Sequence, residues 1–264
     1  MSIIIDKLHL IWIYVVLSFR NYIQFPVEFF MNFLMVFFDV FAVFLFWLSL
    51  SSLQIGISNW NENDLLIFVG MSILSEAVSK ILFGFRDIEY FIIDGSFDKF
   101  LIRPQNPIFS MLMEKLNVFV IVSKTVIGTA TLFYVKIMRG VAFRHFYPAL
   151  VICVLGTLSY ELLYGTFSLL AFWFGKIYNA RSIVFSFQTI RKYPLDIFPN
   201  TVKNLFTYII PLALVATVPS QIITGKIQMQ YSFLCIAVLS FSVSLLIFYL
   251  AQKRALKRYS STGC

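Results

Sequence analysis

FFMNFLMVFFDVFAVFLFWLSL, residues 29–50, carries a single charge, Asp39, among phenylalanines, leucines and valines. A helix built from it is apolar all round, which suits lipid rather than a half-solvated core. Its length matches the roughly 20 residues that cross a hydrocarbon layer. The remaining chain repeats the pattern. Of 264 residues, 59% are hydrophobic and 13% charged, against about a quarter charged in soluble domains. Phenylalanine alone contributes 31 residues, far more than one soluble core of this length needs. The reading is an all-α polytopic membrane protein, a single membrane domain over residues 1–264.

Further apolar runs predict spans at about 65–83, 111–135, 148–174 and 231–250. Alanine, glycine, serine and threonine recur in the run at 148–174, which suits close helix packing. Residues 3–24 have apolar positions at helical spacing, but the purely apolar part is too short to span. Pro26 ends it, so an interfacial helix is expected there, with a short first span as the other possibility. No small-residue cleavage site follows the N-terminus, so an internal span is expected to act as the insertion signal.

Residues 175–230 admit two readings. Hydropathy favours a span over 205–223, although Pro211 and Pro219 fall inside it. The other reading places span five at 181–198, followed by a proline-broken pair of half-helices. Broken backbone at membrane depth survives only when buried in protein.

The formal net charge is +8. The basic residues flank apolar blocks, so they point to lipid headgroups and helix orientation, not to nucleic acid. Lys253, Arg254, Lys257 and Arg258 argue for a cytoplasmic C-terminus, and the stretch 51–64, without lysine or arginine, for an outside location. Six spans then put both termini inside. The loop 136–147, with Lys136, Arg139 and Arg144, is the misfit, because this count puts it outside. Cys153, Cys235 and Cys264 have no zinc or redox spacing, and no metal or bound cofactor is expected. His9 and His145 lie far apart, and neither H-E-x-x-H nor G-x-S-x-G occurs, which speaks against an intramembrane enzyme.

Between the second and third spans, residues 84–110 read GFRDIEYFIIDGSFDKFLIRPQNPIFS. A short helix over Asp87–Ile93 is expected to stop at Gly95, which suits the left-handed conformation. Ser96 can cap a second short helix with Asp98 in its first turn. Arg103 precedes Pro104 and is biased to extended backbone. The product is an L-shaped elbow, with Phe91, Ile92, Phe97, Phe100 and Leu101 as apolar faces that the loop alone cannot bury. Docking against another protein and a plain solvated loop remain equally open on these residues alone.

IIDGSFDKFLIRP, Ile92 to Pro104, resembles the pattern I-x-x-G-x-(L/F)-D-x-x-L-x-R-P of one branch of the ATP-binding-cassette type-2 permease family. KYPLDIFP at 192–199 and IIPLALVATVPSQIITG at 209–225 are similar to two further stretches of that family. ALKRYSSTG at 255–263 resembles its basic tail, with Ala255 where the family has glycine. The resemblance implies an interfacial N-terminal helix, six spans with span five at 181–198, and re-entrant outer half-helices before the last span. It implies Arg191 and Lys192 near the outer headgroups, reached by snorkelling. It also implies a cell-membrane exporter with both termini cytoplasmic. Elbow residues Phe91, Ile92, Gly95, Phe97, Asp98, Phe100, Leu101, Arg103 and Pro104 would engage a separate cytoplasmic ATP-binding subunit, and a second permease would complete the unit. The chain has no G-x-x-x-x-G-K-(S/T) phosphate loop, so ATP belongs to the partner.

Five charges lie deep in apolar runs: Asp39, Glu76, Lys80, Lys124 and Glu161. A lone charge at mid-bilayer costs roughly 2.5–3.5 kcal/mol on insertion scales. Glu76 and Lys80, four apart, can pair across one helical turn, or they can line a translocation cavity. Lys124 can pair with Asp39 or Glu161. Buried charges would also suit an ion-gradient-driven secondary transporter, although no inverted repeat is visible.

Overall fold

The computed structural model describes residues 2–52, 60–177, 182, 186–187, 189–229 and 231–259, without the side chains of 2–8 and 50–52. Span five at 181–198 lies partly outside the described residues. So do 53–59 of the loop 51–64 and the tail from 260, with Cys264.

Among the described residues all regular structure is helical. Helix α1 is Ser2–Gln24, α2 Pro26–Ser52 and α3 Glu62–Ile81. A 3₁₀ turn at Phe83–Asp87 leads into the elbow helices α4 (Ile88–Ile93) and α5 (Asp98–Leu101), then α6 (Pro107–Glu114). Next come α7 (Val118–Met138), α8 (Phe146–Ser168) and the single turn α9 (Ala171–Phe174). A 3₁₀ turn at Leu195–Ile197 precedes α10 (Asn200–Tyr208), α11 (Thr217–Thr224) and α12 (Tyr231–Arg258).

Four of these are long and apolar enough to cross a membrane: α2, α7, α8 running on through α9, and α12. Helix α3 makes a fifth when taken with its continuation into α4, from which a 61° bend separates it. The boundaries follow local chemistry. Asn61 and Asp64 form a reciprocal capping box at the start of α3, satisfying two of the backbone N–H groups a helix start leaves open. The run expected at 111–135 is split in two. Asn106 caps α6 with Pro107 at its first position, and Asn117 caps α7 by accepting from the Val120 N–H at 3.0 Å. The long helix therefore starts at Val118.

Cross-contacts fix which helix ends lie together. Arg139, just past α7, pairs with Glu62 at the start of α3 at 2.7 Å. Lys226, just past α11, pairs with Asp64 at 2.7 Å. The basic loop after α7 therefore sits opposite the elbow, with one of its charges neutralised by an acid. At the elbow end, Ser18 of α1 donates to the Leu116 carbonyl at 3.1 Å. Tyr259, just past α12, reaches Asp98. Helices α3 and α7 pack along one another, with Gly70 and Gly128 face to face, and α12 packs along α8.

The continuous span over 205–223 suggested by hydropathy is not formed. Helices α10 and α11 are short, and a buried non-helical stretch, Leu212–Ala216, lies between them. That stretch sits hard against α8. A Cβ added to Gly156 would lie 2.6 Å from Leu214 Cβ and 2.8 Å from its carbonyl carbon. Only glycine permits this approach, so the irregular backbone is enclosed by protein, as broken structure in an apolar bundle requires.

Candidate functional site

The elbow packs itself from both ends. Gly95 has φ +73°, the left-handed turn that stops α4. Ser96 does not cap α5: its hydroxyl is buried and has no hydrogen-bond partner among the described residues. The chain instead folds back through the Phe97 N–H, which donates to the Phe91 carbonyl at 3.0 Å.

This fold-back turns most of the elbow aromatics into the chain's own interior. Phe97 and Phe100 are fully buried and Phe91 is 3% exposed. Their partners come from distant sequence. The Phe97 ring lies 5.2 Å from Phe172 in α9 and 5.1 Å from Tyr259. Phe91 and Phe100 meet edge-on at 5.1 Å. Ile92 is buried in the same cluster. What the loop alone cannot bury, α9 and the end of α12 bury for it. Leu101 stays outside at 43% exposure, and Ile102 is 84% exposed. Tyr90 and Ile93 join them, giving an outward apolar ridge of which the sequence reading selected only Leu101.

Polar contacts hold the elbow in place. Tyr259 Oη donates to Asp98 Oδ1 at 2.8 Å, so residues from two of the quoted sequence motifs meet. Burial, followed by this hydrogen bond and the charge of Asp98, pushes the Tyr259 phenol up to about 12. Arg103 donates to Tyr14 of α1 at 3.3 Å and pairs with Glu114 of α6 at 3.1 Å. Pro104 is exposed in the turn between α5 and α6. The Glu89 carboxylate accepts from the Ile177 N–H at 3.0 Å, fastening the elbow to the segment after α9.

Above the elbow the deep charges form one connected cluster. Lys124 is the hub, pairing with Asp39 at 2.6 Å and with Glu76. Lys192 meets the same two acids at 3.1 and 3.8 Å. The pair expected between Glu76 and Lys80 is thus replaced by ion pairs between helices, and the Lys80 ammonium stands 4.1 Å from the Phe83 ring centroid. Glu161 does not serve Lys124. It is fully buried, accepts from Ser79 Oγ, and pairs with Arg86 at 3.3 Å and Arg191 at 3.7 Å. Arg191 and Lys192 accordingly turn toward the acids of α2, α3 and α8 instead of an outer headgroup layer. A buried cation costs least where an acid already waits. Arg86, Arg191 and Lys192 were absent from the sequence-derived candidates. The available signal was an Arg-Lys pair inside an apolar stretch.

At the opposite end, Asp196 is held by Trp60 Nε1 at 2.9 Å, by Lys203 and by Gln221. Among the described residues no cluster of histidine, cysteine and carboxylate groups could hold a metal ion. The family described as ABC-2 family transporter protein matches the chain over residues 33–263. A comparison with proteins of curated function finds no match.

Proposed function

The chain belongs to the ABC-2 transporter family and is the membrane component of such a transporter; from that premise we propose that it is the permease subunit of an exporter driven by a separate ATP-binding subunit. The observation that carries this reading is the elbow. It is a folded segment between α3 and α7 that presents Tyr90, Ile93, Leu101 and Ile102 outward, at the end where α1 and α12 also lie. An ABC-2 permease works with an ATPase partner, and this ridge is the surface such a partner would grip.

The same anchors support six crossings. The Ile177 N–H is bound to Glu89 beyond the C-terminal end of α3, and Asp196 to Trp60 before its N-terminal end. A fifth span at 181–198 joins these points. Helices α10 and α11 then form a re-entrant pair at the outer side, and α12 returns to the elbow side. Both termini are cytoplasmic in this arrangement, α1 lies in the interface, and the membrane is the cell membrane. A second permease, a copy or a paralogue, completes the translocation path.

ATP closure of the partner would push the ridge, and the buried aromatic cluster would pass that push to α9 and α12 as a rigid body. The inward-open and outward-open states must differ in contacts that the nucleotide biases. The buried charge cluster is what would favour an ion-coupled carrier instead. Purification and reconstitution separate the two. The permease should copurify with an ATP-binding subunit and move cargo only when ATP is supplied. Transport from an ion gradient by this chain alone would overturn the reading.

A further inference from the structure

A cavity of about 340 Å³ opens among α2, α3, α7 and the segment 189–192. Lys80, Arg86, Lys124, Arg191 and Lys192 line it, against Asp39 and Glu76. Even with Glu161 counted behind the wall, five cations face three acids, an excess of two.

The acids are already engaged. Asp39 and Glu76 are shared between Lys124 and Lys192, and Glu161 serves Ser79, Arg86 and Arg191. Lys80 meets no carboxylate among the described residues; its ammonium has the Phe83 ring face. Arg191 is 9% exposed, and its Nε has no hydrogen-bond partner among the described residues. Uncompensated positive charge in an apolar bundle is costly. Guanidinium and ammonium groups converging on one cavity are a donor set that recognises an oxyanion.

We propose that this cavity is a binding site for an anionic oxyacid group, a phosphate or carboxylate, presented either by a membrane lipid or by a small anion. The proposal deepens the permease reading by giving the chain a ligand class. Its test needs neither ATP nor a partner subunit, so its failure leaves that reading standing.

The full chain is placed in phosphatidylcholine nanodiscs with and without phosphatidylglycerol, and lipid retention is read by native mass spectrometry. In a second arm, inorganic phosphate is titrated into neutral nanodiscs and thermal stabilisation is followed. Lys80→Gln is the informative variant because no carboxylate loses a partner. It should weaken binding about tenfold, as expected for one charge-assisted hydrogen bond, while Lys80→Arg retains it. Lys192→Gln, half-exposed at the cavity, is the parallel variant and should also weaken binding. Variant-sensitive retention of phosphatidylglycerol assigns a lipid, and variant-sensitive stabilisation by phosphate assigns a small anion. Equal behaviour of the native chain and both glutamine variants in both arms overturns the site.

Discussion

Phe97→Ala and Ile102→Asp alter side chains five residues apart in the elbow and should fail in opposite ways. Phe97 is fully buried, with rings of Phe172, Tyr259 and Phe100 at 5.2, 5.1 and 6.0 Å. Truncating a buried phenylalanine costs about 3–5 kcal/mol through lost transfer energy and the cavity left behind. That loss should appear in the permease alone, as a lowered thermal unfolding midpoint in nanodiscs followed by tryptophan fluorescence. Ile102 is 84% exposed, and a surface substitution shifts stability by about 0.5 kcal/mol or less. In the assembled transporter, however, Ile102→Asp would bury a carboxylate against the ATP-binding subunit. A hot-spot loss of about 2 kcal/mol is roughly a thirtyfold weaker contact. Copurification and cargo-stimulated ATP hydrolysis should fall while the unfolding midpoint stays. Normal coupling by Ile102→Asp would refute the assignment of the outward ridge, and an unchanged midpoint for Phe97→Ala would refute the inward packing of the aromatics.

Two further outcomes follow from single contacts. Gly156→Ala places a methyl 2.6 Å from Leu214 Cβ, and overpacking of this kind costs about 1–3 kcal/mol; an unchanged unfolding midpoint would separate the 209–216 stretch from α8. Tyr259 has its phenol raised from 10.0 to about 12, so the folded state holds that proton more tightly than the unfolded chain. Its contribution is whole below pH 10 and lost as the pH rises toward 12. Tyr259→Phe should be less stable at pH 8 and lose less on going to pH 11, in unfolding scans at both pH values.

The apolar runs were legible because the bilayer imposes a length and a composition that no partner is needed to read. Residues 29–50 and 231–250 fall inside α2 and α12 for that reason alone. The elbow was legible as a segment but not as a surface. Helices α4 and α5 have six and four residues, too few for periodicity to say which face is buried. The deciding partners, Phe172 and Tyr259, are some 75 and 160 positions further along the chain. Glu76 and Lys80 show the same limit: spacing by four offers a pair worth only about 0.2–0.5 kcal/mol on an exposed helix, and both side chains instead line one cavity. Lys124 offers Glu76 a partner from another helix, and it neutralises Asp39 at the same time.

Charge count carries the argument one step further. A cluster built only to neutralise Asp39, Glu76 and Glu161 would need three cations, and Lys124, Arg86 and Arg191 already supply them. Lys192 duplicates the contacts of Lys124, and Lys80 makes none with an acid among the described residues. Neutralising the acids gives no reason to carry that surplus, because like charges added to one cluster repel each other. The surplus becomes intelligible when a negative group enters the cavity. This ties the deep charges to occupancy instead of to folding alone, and it makes Lys80 the residue whose loss should be felt by a ligand and hardly at all by the fold.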